Sequence, residues 1–247
     1  MSRSICLSRI KELNIENNSD ARISIIIPTL NEAKNIGEVI YKLKQAGCHD
    51  ILIVDGNSVD GTAEYARKLG AKVIIQNGKG KGLALRQAFC NGYLSGDIII
   101  ILDADGSMDP EEVPTFVSAI ESGAEVAKGS RFLPQGQSED MSAVRRVGNK
   151  LLVGILNFLC LTKYTDLCYG YIAFSRDALR RISPRLTSDK FEIETEVCIK
   201  AKELGLKVVE VPSFERVRQH GHSNLNTFRD GFRILAFIVR ESLLSER

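Results

Sequence analysis

Short apolar runs alternate with amphipathic segments in the first half of the chain. The runs are rich in isoleucine and valine and suit strands covered on both faces, as in a parallel sheet. We predict four such strands, at Ile23–Ile27, Ile51–Val54, Lys72–Ile75 and Ile98–Leu102. Between them, the spacing of apolar residues predicts helices at Ala33–Ala46, Thr62–Leu69 and Gly82–Leu94. This alternation predicts βαβ units and a mostly parallel central sheet flanked by helices.

Capping residues mark the ends of these helices. Asn31 is placed to cap the first helix and Asp60 the second, while Gly70 fits the position just after a helix. Asp109 precedes Pro110 and two glutamates, which is a strong signal for a helix start.

The second half has a different pattern. A polar loop, Leu133–Ser142, precedes a long apolar helix near Val144–Leu161. Strand-like pieces follow at Gly170–Phe174 and Leu206–Val211, with helices near Asp177–Ile182, Glu192–Leu204 and Thr227–Leu243. No repeat or Pro-rich linker divides the chain. We predict an N-terminal tail, residues 1–20, and a single domain, residues 21–247.

Composition mainly excludes functions. The net charge of +2 and the scattered basic residues give no sign of a nucleic-acid partner. Six cysteines without CxxC pairs, and only three histidines, favour reduced thiols in a cytoplasmic protein over a zinc site. The longest apolar stretch, Leu151–Leu161, is shorter than a spanning helix requires. We expect neither a signal peptide nor a transmembrane segment.

Acidic clusters follow three of the predicted strands. They are PTLNE (Pro28–Glu32), VDGNSVDGT (Val54–Thr62) and LDADGS (Leu102–Ser107). Each cluster alone is most simply a polar turn that caps a helix. Ligands of open α/β sheets bind beyond the carboxyl ends of the strands, and together the clusters suit a divalent cation that carries phosphates. If the strand continues through them, Asp103 and Asp105 point the same way and can hold one ion.

Three glycines and two lysines precede the third predicted helix in GKGKGLALRQAF, Gly78–Phe89. The segment matches neither a Walker loop nor a dinucleotide fingerprint. It is either a flexible turn with solvated lysines or a loop beside the nucleotide, where Lys79 or Lys81 meets phosphate.

These motifs occur in the order seen in family 2 glycosyltransferases. The chain most resembles the dolichol-phosphate mannose synthase-like branch of that family. Further motifs in that order are GSRF (Gly129–Phe132), DLCYGY (Asp166–Tyr171), FEIE (Phe191–Glu194), EVPSF (Glu210–Phe214) and RQHGHSNL (Arg218–Leu225). The resemblance covers about Ile23 to Ile238. It implies a GT-A (Rossmann-like) fold, a GDP- or UDP-sugar donor, Mg²⁺ or Mn²⁺ as cofactor, and inversion at the anomeric carbon. It also implies a nucleotide-sugar-binding half, about residues 21–130, and an acceptor half, residues 131–247.

The resemblance also assigns roles to individual residues. The positions that hold the nucleoside in the family are Pro28, Leu30, Glu32, Val54 and Asp55. Those around the diphosphate and metal are Asp103, Ala104 and Asp105, with Ser107 as a further metal ligand. Arg131 and Arg218 match arginines that bind phosphate and acceptor, a role that suits a bidentate guanidinium.

Three positions depart from the family pattern. Leu30 replaces a usual Tyr, Gly56 replaces the second Asp of a VDD motif, and Asn224 replaces a usual Lys. The first two put the identity of the nucleotide in doubt, and the third removes a positive charge near the expected acceptor phosphate.

The sequence thus predicts an inverting transfer of a hexose to a polyprenyl phosphate. One alternative is transfer to a sugar or small-molecule hydroxyl, which needs a base. Glu192, Glu194 and Asp166 are the candidates for it, and each can equally be a structural acid. An alternative from another class, a nucleotidyltransferase, would want a glycine-rich loop after the first strand, and PTLNE is not one.

A membrane surface is a further possible partner. The apolar segment Arg145–Tyr164 is flanked by basic residues. It is either a core helix of the acceptor half or an interfacial helix that meets anionic head groups. The last predicted helix offers a second apolar face. We therefore expect a cytoplasmic protein that can be peripheral on the cytoplasmic membrane face.

Overall fold

The first four strands lie where the apolar runs predict them. The computed structural model describes residues 21–90, 92–221 and 225–245, so the predicted tail lies outside the described residues. Strands β1 (Ile23–Thr29), β2 (Asp50–Asp55), β3 (Lys72–Ile75) and β4 (Ile98–Ile101) pair in parallel. Their carboxyl ends therefore meet at one edge of the sheet.

Three strands of the second half extend the same sheet. They are β5 (Val126–Ser130), β7 (Ile172–Ser175) and β8 (Val208–Pro212), and the strand order is β3-β2-β1-β4-β7-β5-β8. Only β7 runs antiparallel to its neighbours in this sheet of described strands. The prediction of a mostly parallel sheet is thus confirmed, and one sheet passes through both predicted halves.

The pattern did not reveal β5, nor the short parallel pair β6 (Gln137–Ser138) and β9 (Phe214–Glu215). Lys128 and Gly129 interrupt the apolar pattern of β5, although every residue of this strand is buried. The Lys128 ammonium group donates to the carbonyl oxygen of Tyr169 at 3.1 Å, which makes its burial tolerable.

Eight α-helices cover the sheet in the described residues. They are α1 (Ile36–Gln45), α2 (Thr62–Lys68), α3 (Lys81–Cys90), α4 (Val113–Glu121), α5 (Ala143–Cys160), α6 (Arg176–Ile182), α7 (Ile193–Glu203) and α8 (Thr227–Ser245). Apolar residues of α1, α2 and α4 pack on one face, and those of α3, α6 and α7 on the other. A third cluster joins α5 and α8 to α7.

The predicted caps were correct in part. Asn31 does not cap α1, because it lies several residues before the helix and its carboxamide accepts from the Val59 amide in the next loop. Gly61 and not Asp60 is the N-cap residue of α2, but Asp60, one residue earlier, still accepts from the amide of Thr62, the first residue of the helix. Gly70 follows that helix with φ +81°, as predicted. Asp109 accepts from the Glu111 amide and starts a 3₁₀ turn that leads into α4.

Helix α5 is half-buried rather than a core helix. It buries Asn149, Leu152 and Leu156, and its other apolar residues are largely exposed. In the described part of the chain, no helix combines the length and the apolar character needed to cross a membrane.

Candidate active site

A cavity of about 830 Å³ lies at the carboxyl ends of β1 to β4 and extends between the first turns of α5 and α8. Most of the predicted site residues line it, namely Pro28, Leu30, Glu32, Lys81, Asp103, Ala104, Asp105, Ser107, Arg131, Glu194 and Arg218. Val54, Asp55, Asp166 and Glu192 are not among the lining residues. The sheet therefore brings motifs from both halves of the chain to one chamber.

Asp103 and Asp105 are brought together by a turn. The prediction that an extended strand aligns them is wrong, because strand β4 ends at Ile101. The amide of Ser107 donates to Asp105 Oδ1 at 2.9 Å, which closes the turn. Both carboxylates still line the same cavity, together with Ser107.

Each of these carboxylates is paired with a basic side chain. Lys81 Nζ lies 2.6 Å from Asp103 Oδ1 and 2.8 Å from Glu194 Oε1. Arg218 Nη2 lies 2.6 Å from Asp105 Oδ2, and its Nη1 lies 3.3 Å from Glu32 Oε1. Two cations thus join four carboxylates around the chamber. Among the described residues, no three acidic, cysteine or histidine side chains stand close enough together to hold a metal alone.

The charges in these pairs set the local pKa values. Burial alone would lower the pKa of Lys81, but Asp103 and Glu194 outweigh it and raise that pKa. Burial raises the pKa of Glu32, although Asn35 and Arg218 act in the opposite direction. Lys81 therefore stays charged at every physiological pH.

Glycines allow Lys81 to reach this position. A Cβ at Gly80 would lie 2.1 Å from the Asp189 carbonyl oxygen, and one at Gly82 would lie 2.4 Å from that of Ser188. The GKGKG loop is thus packed against the segment before α7 and is not a free turn. A Cβ at Gly170 would lie 2.6 Å from Lys81 Nζ, so the DLCYGY motif supplies the space for the ammonium group.

Asp55 lies behind the cavity wall. Its Oδ1 accepts from the Thr29 hydroxyl at 3.0 Å and its Oδ2 accepts from the Ser58 amide at 2.8 Å. The side chain is almost fully buried, and Val54 belongs to the apolar core. Asp55 therefore holds the turns after β1 and β2 in place.

Arg131 is held in a network of its own. Its Nε and Nη2 bond the two carboxylate oxygens of Asp166 at 2.7 and 2.9 Å, and its Nη1 bonds Glu215 at 3.1 Å. Its Nη2 also donates to the Cys168 carbonyl oxygen, and the guanidinium lies over the Tyr169 ring. Burial alone would raise the pKa of Asp166, but Arg131 outweighs it and lowers that pKa.

Arg145 and Asn149 of α5 are among the polar residues of the cavity that were not predicted as site residues. Arg145 donates to the Thr227 hydroxyl at 3.3 Å and to the Leu225 carbonyl oxygen at 3.4 Å, which links the first turns of α5 and α8. Asn149 Oδ1 accepts from the amides of Leu167 and Cys168, and its Nδ2 is buried without a partner among the described residues. Their polar character within an apolar helix is the signal that could have identified them.

Both helices beside the cavity carry exposed apolar stripes, here called the α5 and α8 stripes. The α5 stripe consists of Val144, Val147, Leu151 and Phe158, and the α8 stripe of Phe228, Phe232, Val239 and Leu243. Exposed basic residues, including Arg146 and Lys150, accompany the first stripe. Exposed apolar stripes of this kind are typical of interaction surfaces.

The fold and the carboxylate-rich cavity define a glycosyltransferase of the GT-A class. The family model for glycosyl transferase family 2 matches residues 24–183, and the chain belongs to this family. Glucosyl-3-phosphoglycerate synthase from Mycobacterium tuberculosis has a similar structure, with a TM-score of 0.72, 22% identity, and coverage of 90% of this chain and 80% of that one. This likeness confirms the predicted GT-A fold.

Three relatives narrow the family. Glycosyltransferase AglJ of Haloferax volcanii is 33% identical over 89% of this chain and 72% of its own length. The dolichol-phosphate mannosyltransferase of Pyrococcus furiosus is 33% identical over 83% of this chain, which spans 59% of that protein. The polyprenol monophosphomannose synthase of Mycolicibacterium smegmatis is 32% identical over 83% of this chain and 81% of its own length. The predicted resemblance to the dolichol-phosphate mannose synthase-like branch is confirmed.

Proposed function

We propose that this glycosyltransferase moves a hexose from a nucleotide sugar of the GDP-mannose or UDP-glucose type to a polyprenyl phosphate. The observation that carries the proposal is a cavity that joins the acidic turn of Asp103 and Asp105 to an end between α5 and α8, which is lined by apolar residues and by charged residues of both signs, among them Arg145. The names of two relatives, a dolichol-phosphate mannosyltransferase and a polyprenol monophosphomannose synthase, support the acceptor.

The donor end suits a diphosphate with a divalent cation. Asp103, Asp105 and Ser107 present oxygen atoms to one cavity, and a Mg²⁺ or Mn²⁺ ion typically takes one or two carboxylates and completes its shell with phosphate and water. Such an ion, when bound, supplies positive charge beside the leaving diphosphate. Structures of the mycobacterial synthase contain UDP with Mn²⁺ or Mg²⁺. Lys81 and Arg218 are placed to bind phosphate oxygens once a cation holds the two aspartates.

The acceptor end suits an anionic nucleophile. An oxygen atom of the lipid phosphate attacks C1 of the sugar from the face opposite the diphosphate. A C1–O bond to the acceptor forms, the C1–O bond to the diphosphate breaks, and the anomeric configuration inverts. The attacking phosphate is already anionic, so no base is needed. We assign Arg145 to this phosphate because it lines the cavity and its guanidinium donates to two neutral groups, the Thr227 hydroxyl and the Leu225 carbonyl oxygen.

Arg131 and Asp166 position the acceptor end in this proposal. Each donor group of Arg131 already has a protein acceptor, and the Asp166 carboxylate is fully buried against it. They connect the end of β5 to the DLCYGY loop, whose amides also bind Asn149. The pair therefore fixes the wall on which the acceptor lies.

Transfer to a hydroxyl group is the second candidate, and one observation favours it. A hydroxyl acceptor needs a base, and Glu194 is the one of the three predicted acids that lines the cavity. Glu192 lies outside it, and Asp166 is bonded to Arg131. A structure of the mycobacterial synthase with phosphoglyceric acid and UDP-glucose shows a GT-A fold with a small hydroxyl-bearing molecule.

A radiolabelled transfer assay separates the two candidates. Purified protein is incubated with a panel of GDP- and UDP-hexoses, Mg²⁺ or Mn²⁺, and either polyprenyl phosphate or no lipid. We expect label in the organic phase, as a hexosyl lipid phosphate, with one of the nucleotide sugars. Transfer to water-soluble hydroxyl acceptors, with none to lipid phosphate, would support the second candidate instead.

We also propose that the α5 and α8 stripes contact the membrane surface on the cytoplasmic face, where the lipid acceptor is presented. The exposed side chains are those of Leu151 and Phe158, whereas Leu152 and Leu156 are buried and unsuitable for a test. Wild type should sediment with anionic liposomes at low salt, and a Leu151→Glu/Phe158→Glu variant should not. Val59→Glu, at an exposed apolar residue of the other half, is the matched control. Equal sedimentation of all three proteins would contradict the contact.

A further inference from the structure

One side chain of the cavity stands apart from the charged pairs described above. Gln76 follows β3 at the carboxyl edge of the sheet, is 5% exposed, and lines the cavity beside Leu30 and Gly56. Its backbone is held on both sides, because its amide donates to the Asp55 carbonyl oxygen at 2.7 Å and its carbonyl oxygen accepts from Asn57 at 2.9 Å. The residue is therefore a fixed part of the wall.

The orientation of its carboxamide follows from chemistry. Gln76 Nε2 donates to the Gly80 carbonyl oxygen at 2.8 Å, and a carbonyl can only accept, so the nitrogen must lie on that side. Oε1 then points away from Gly80 and has no hydrogen-bond partner among the described residues. Oε1 is not one of the fully buried atoms that lack a partner, so it retains some exposure. A free acceptor on a nearly buried residue thus faces the cavity.

Gly56 shows where this oxygen lies. A Cβ at Gly56 would lie 3.3 Å from Gln76 Oε1, 3.2 Å from the Thr29 carbonyl oxygen and 3.5 Å from Leu30. An aspartate at position 56, as in the family's VDD motif, would direct its carboxylate toward two oxygen atoms that cannot donate. The glycine and the glutamine are therefore compatible with each other, and an Asp–Gln combination would be repulsive.

We propose that Gln76 reads the nucleobase of the donor, with Oε1 accepting a hydrogen bond from a ring N–H. Uracil and guanine carry such a group, N3–H and N1–H respectively, whereas cytosine and adenine have an unprotonated ring nitrogen at the corresponding place. This assignment rests on the proposed function, since it takes the ligand to be a nucleotide sugar. It gives the β3 end a role that belongs to neither the diphosphate nor the acceptor.

The test measures nucleotide binding and needs no turnover. Calorimetry with Mg²⁺ or Mn²⁺ first compares UDP, GDP, CDP and ADP, and the tighter keto nucleotide is then compared with its form methylated at the ring nitrogen, N3-methyl-UDP or N1-methyl-GDP. We expect methylation to weaken binding to the wild type by about tenfold or more, since it removes the donor and adds bulk. In Gln76→Met, the ratio of the affinity for the unmethylated nucleotide to that for the methylated one should shrink by about three- to tenfold, the value of one neutral hydrogen bond.

A matched variant controls for the loop. Gln87→Met removes a side-chain amide of α3 that supports the same turn, since Gln87 bonds the amide and carbonyl groups of Asn77, but Gln87 does not line the cavity. It should keep the wild-type preference. Gln76→Asn, which keeps an amide but is one methylene shorter, gives a second measurement if the Met variant folds poorly.

The outcomes distinguish this inference from the proposed function. If no nucleoside diphosphate binds, both fall. If UDP or GDP binds and methylation makes no difference, or if Gln76→Met keeps the full preference, only the role of Gln76 is overturned. Equal binding of CDP or ADP would likewise overturn it, because an exocyclic amine would then serve as well as a ring N–H.

Discussion

The two arginines that the family resemblance assigns to phosphate lie in contrasting regions of the cavity. At the donor end, Arg218 bonds Glu32 and Asp105, both of which line the chamber. At the acceptor end, Arg131 bonds Asp166 and Glu215 and also the Cys168 carbonyl oxygen. The side chain of Arg218 is 17% exposed and that of Arg131 is 7% exposed.

This difference separates groups that can exchange partners from groups that cannot. The partners of Arg218 and Lys81 are carboxylates suited to a cation, so a ligand that binds those carboxylates frees the basic side chains for phosphate. Removing Arg131 from its partners would leave buried charges uncompensated, which is strongly unfavourable. Under the proposed function, the donor end can therefore change its bonds when a nucleotide sugar and a cation bind, whereas the acceptor end rests on a fixed frame.

The largest expected effect is at the donor end. Asp105→Ala should reduce metal-dependent donor turnover by about a thousandfold or more, because it removes a carboxylate beside the leaving diphosphate and a partner of Arg218. The fold should persist, since Asp105 lies on a turn outside β4. Initial rates with saturating nucleotide sugar, together with circular dichroism, measure both.

Glu111→Ala serves as its control. Glu111 is an exposed carboxylate near the same turn and does not line the cavity. Its variant should keep the wild-type rate. An active Asp105→Ala protein would remove Asp105 from the donor site.

The second prediction concerns the fixed frame. Arg131→Met should destabilise the protein by about 3–5 kcal/mol, because Asp166 and Glu215 would lose their cation inside the protein. Arg218→Met should cost far less stability and act mainly on turnover. Urea unfolding of both variants measures the contrast, and equal stability losses would break the comparison between the two ends.

Much of the donor half could be predicted because its signals are local. The apolar runs, the glycine at position 70 and the cap at Asp109 depend on residues close in sequence. Strand β5 could not be found this way, since Lys128 at its centre is accommodated by a carbonyl oxygen from a distant loop. The predicted N-terminal tail, residues 1–20, lies outside the described residues, and so does Asn224. The division of the domain into a nucleotide-sugar-binding half and an acceptor half stays a prediction.

The acceptor end depends on which side of a helix faces the cavity. Glu192 and Glu194 are two residues apart, and only Glu194 lines the chamber because successive helical positions point in different directions. In the same way, Leu151 is exposed while the adjacent Leu152 is buried. The sequence identifies such a helix as apolar but does not say which neighbour covers it. Arg145 and Asn149 stand out as polar residues of that helix, but their place at the cavity follows only from the packing of α5 against α8 and the DLCYGY loop.

The third prediction tests the acceptor end without disturbing its frame. Arg145→Met should raise the KM for polyprenyl phosphate by about ten- to a hundredfold, the loss of one charge-assisted contact, and leave nucleotide affinity unchanged. Arg180→Met is the matched control, because Arg180 is an exposed arginine of α6 that lies outside the cavity and outside the α5 and α8 stripes. A change in nucleotide affinity with an unchanged lipid KM would move Arg145 to the donor end.

The smallest expected effect concerns a charge in the donor half that lies at the far end of the sheet. Asp50 begins β2 and accepts hydrogen bonds from Ser24, Lys72 and Ser95. Burial alone would raise its pKa, but these bonds outweigh it and lower the pKa to about 2. A carboxyl group with a lowered pKa in the folded state stabilises the fold above its unfolded value, near 4, and this contribution is lost as the pH falls from about 4 toward 2.

Asp50→Asn should therefore lower the free energy of unfolding by about 1 kcal/mol at pH 7, a value reduced for the partial exposure of the pair. The difference in free energy of unfolding between wild type and variant should be smaller at pH 3, because protonation of Asp50 in the unfolded wild-type chain removes part of the stabilisation that its charge provides. Turnover should stay unchanged, since Asp50 does not line the cavity. Asp177→Asn, at an exposed pair with Arg180, should have no effect at either pH. A gap that is constant between pH 7 and pH 3 would show that the charge of Asp50 is not the source of its stabilisation.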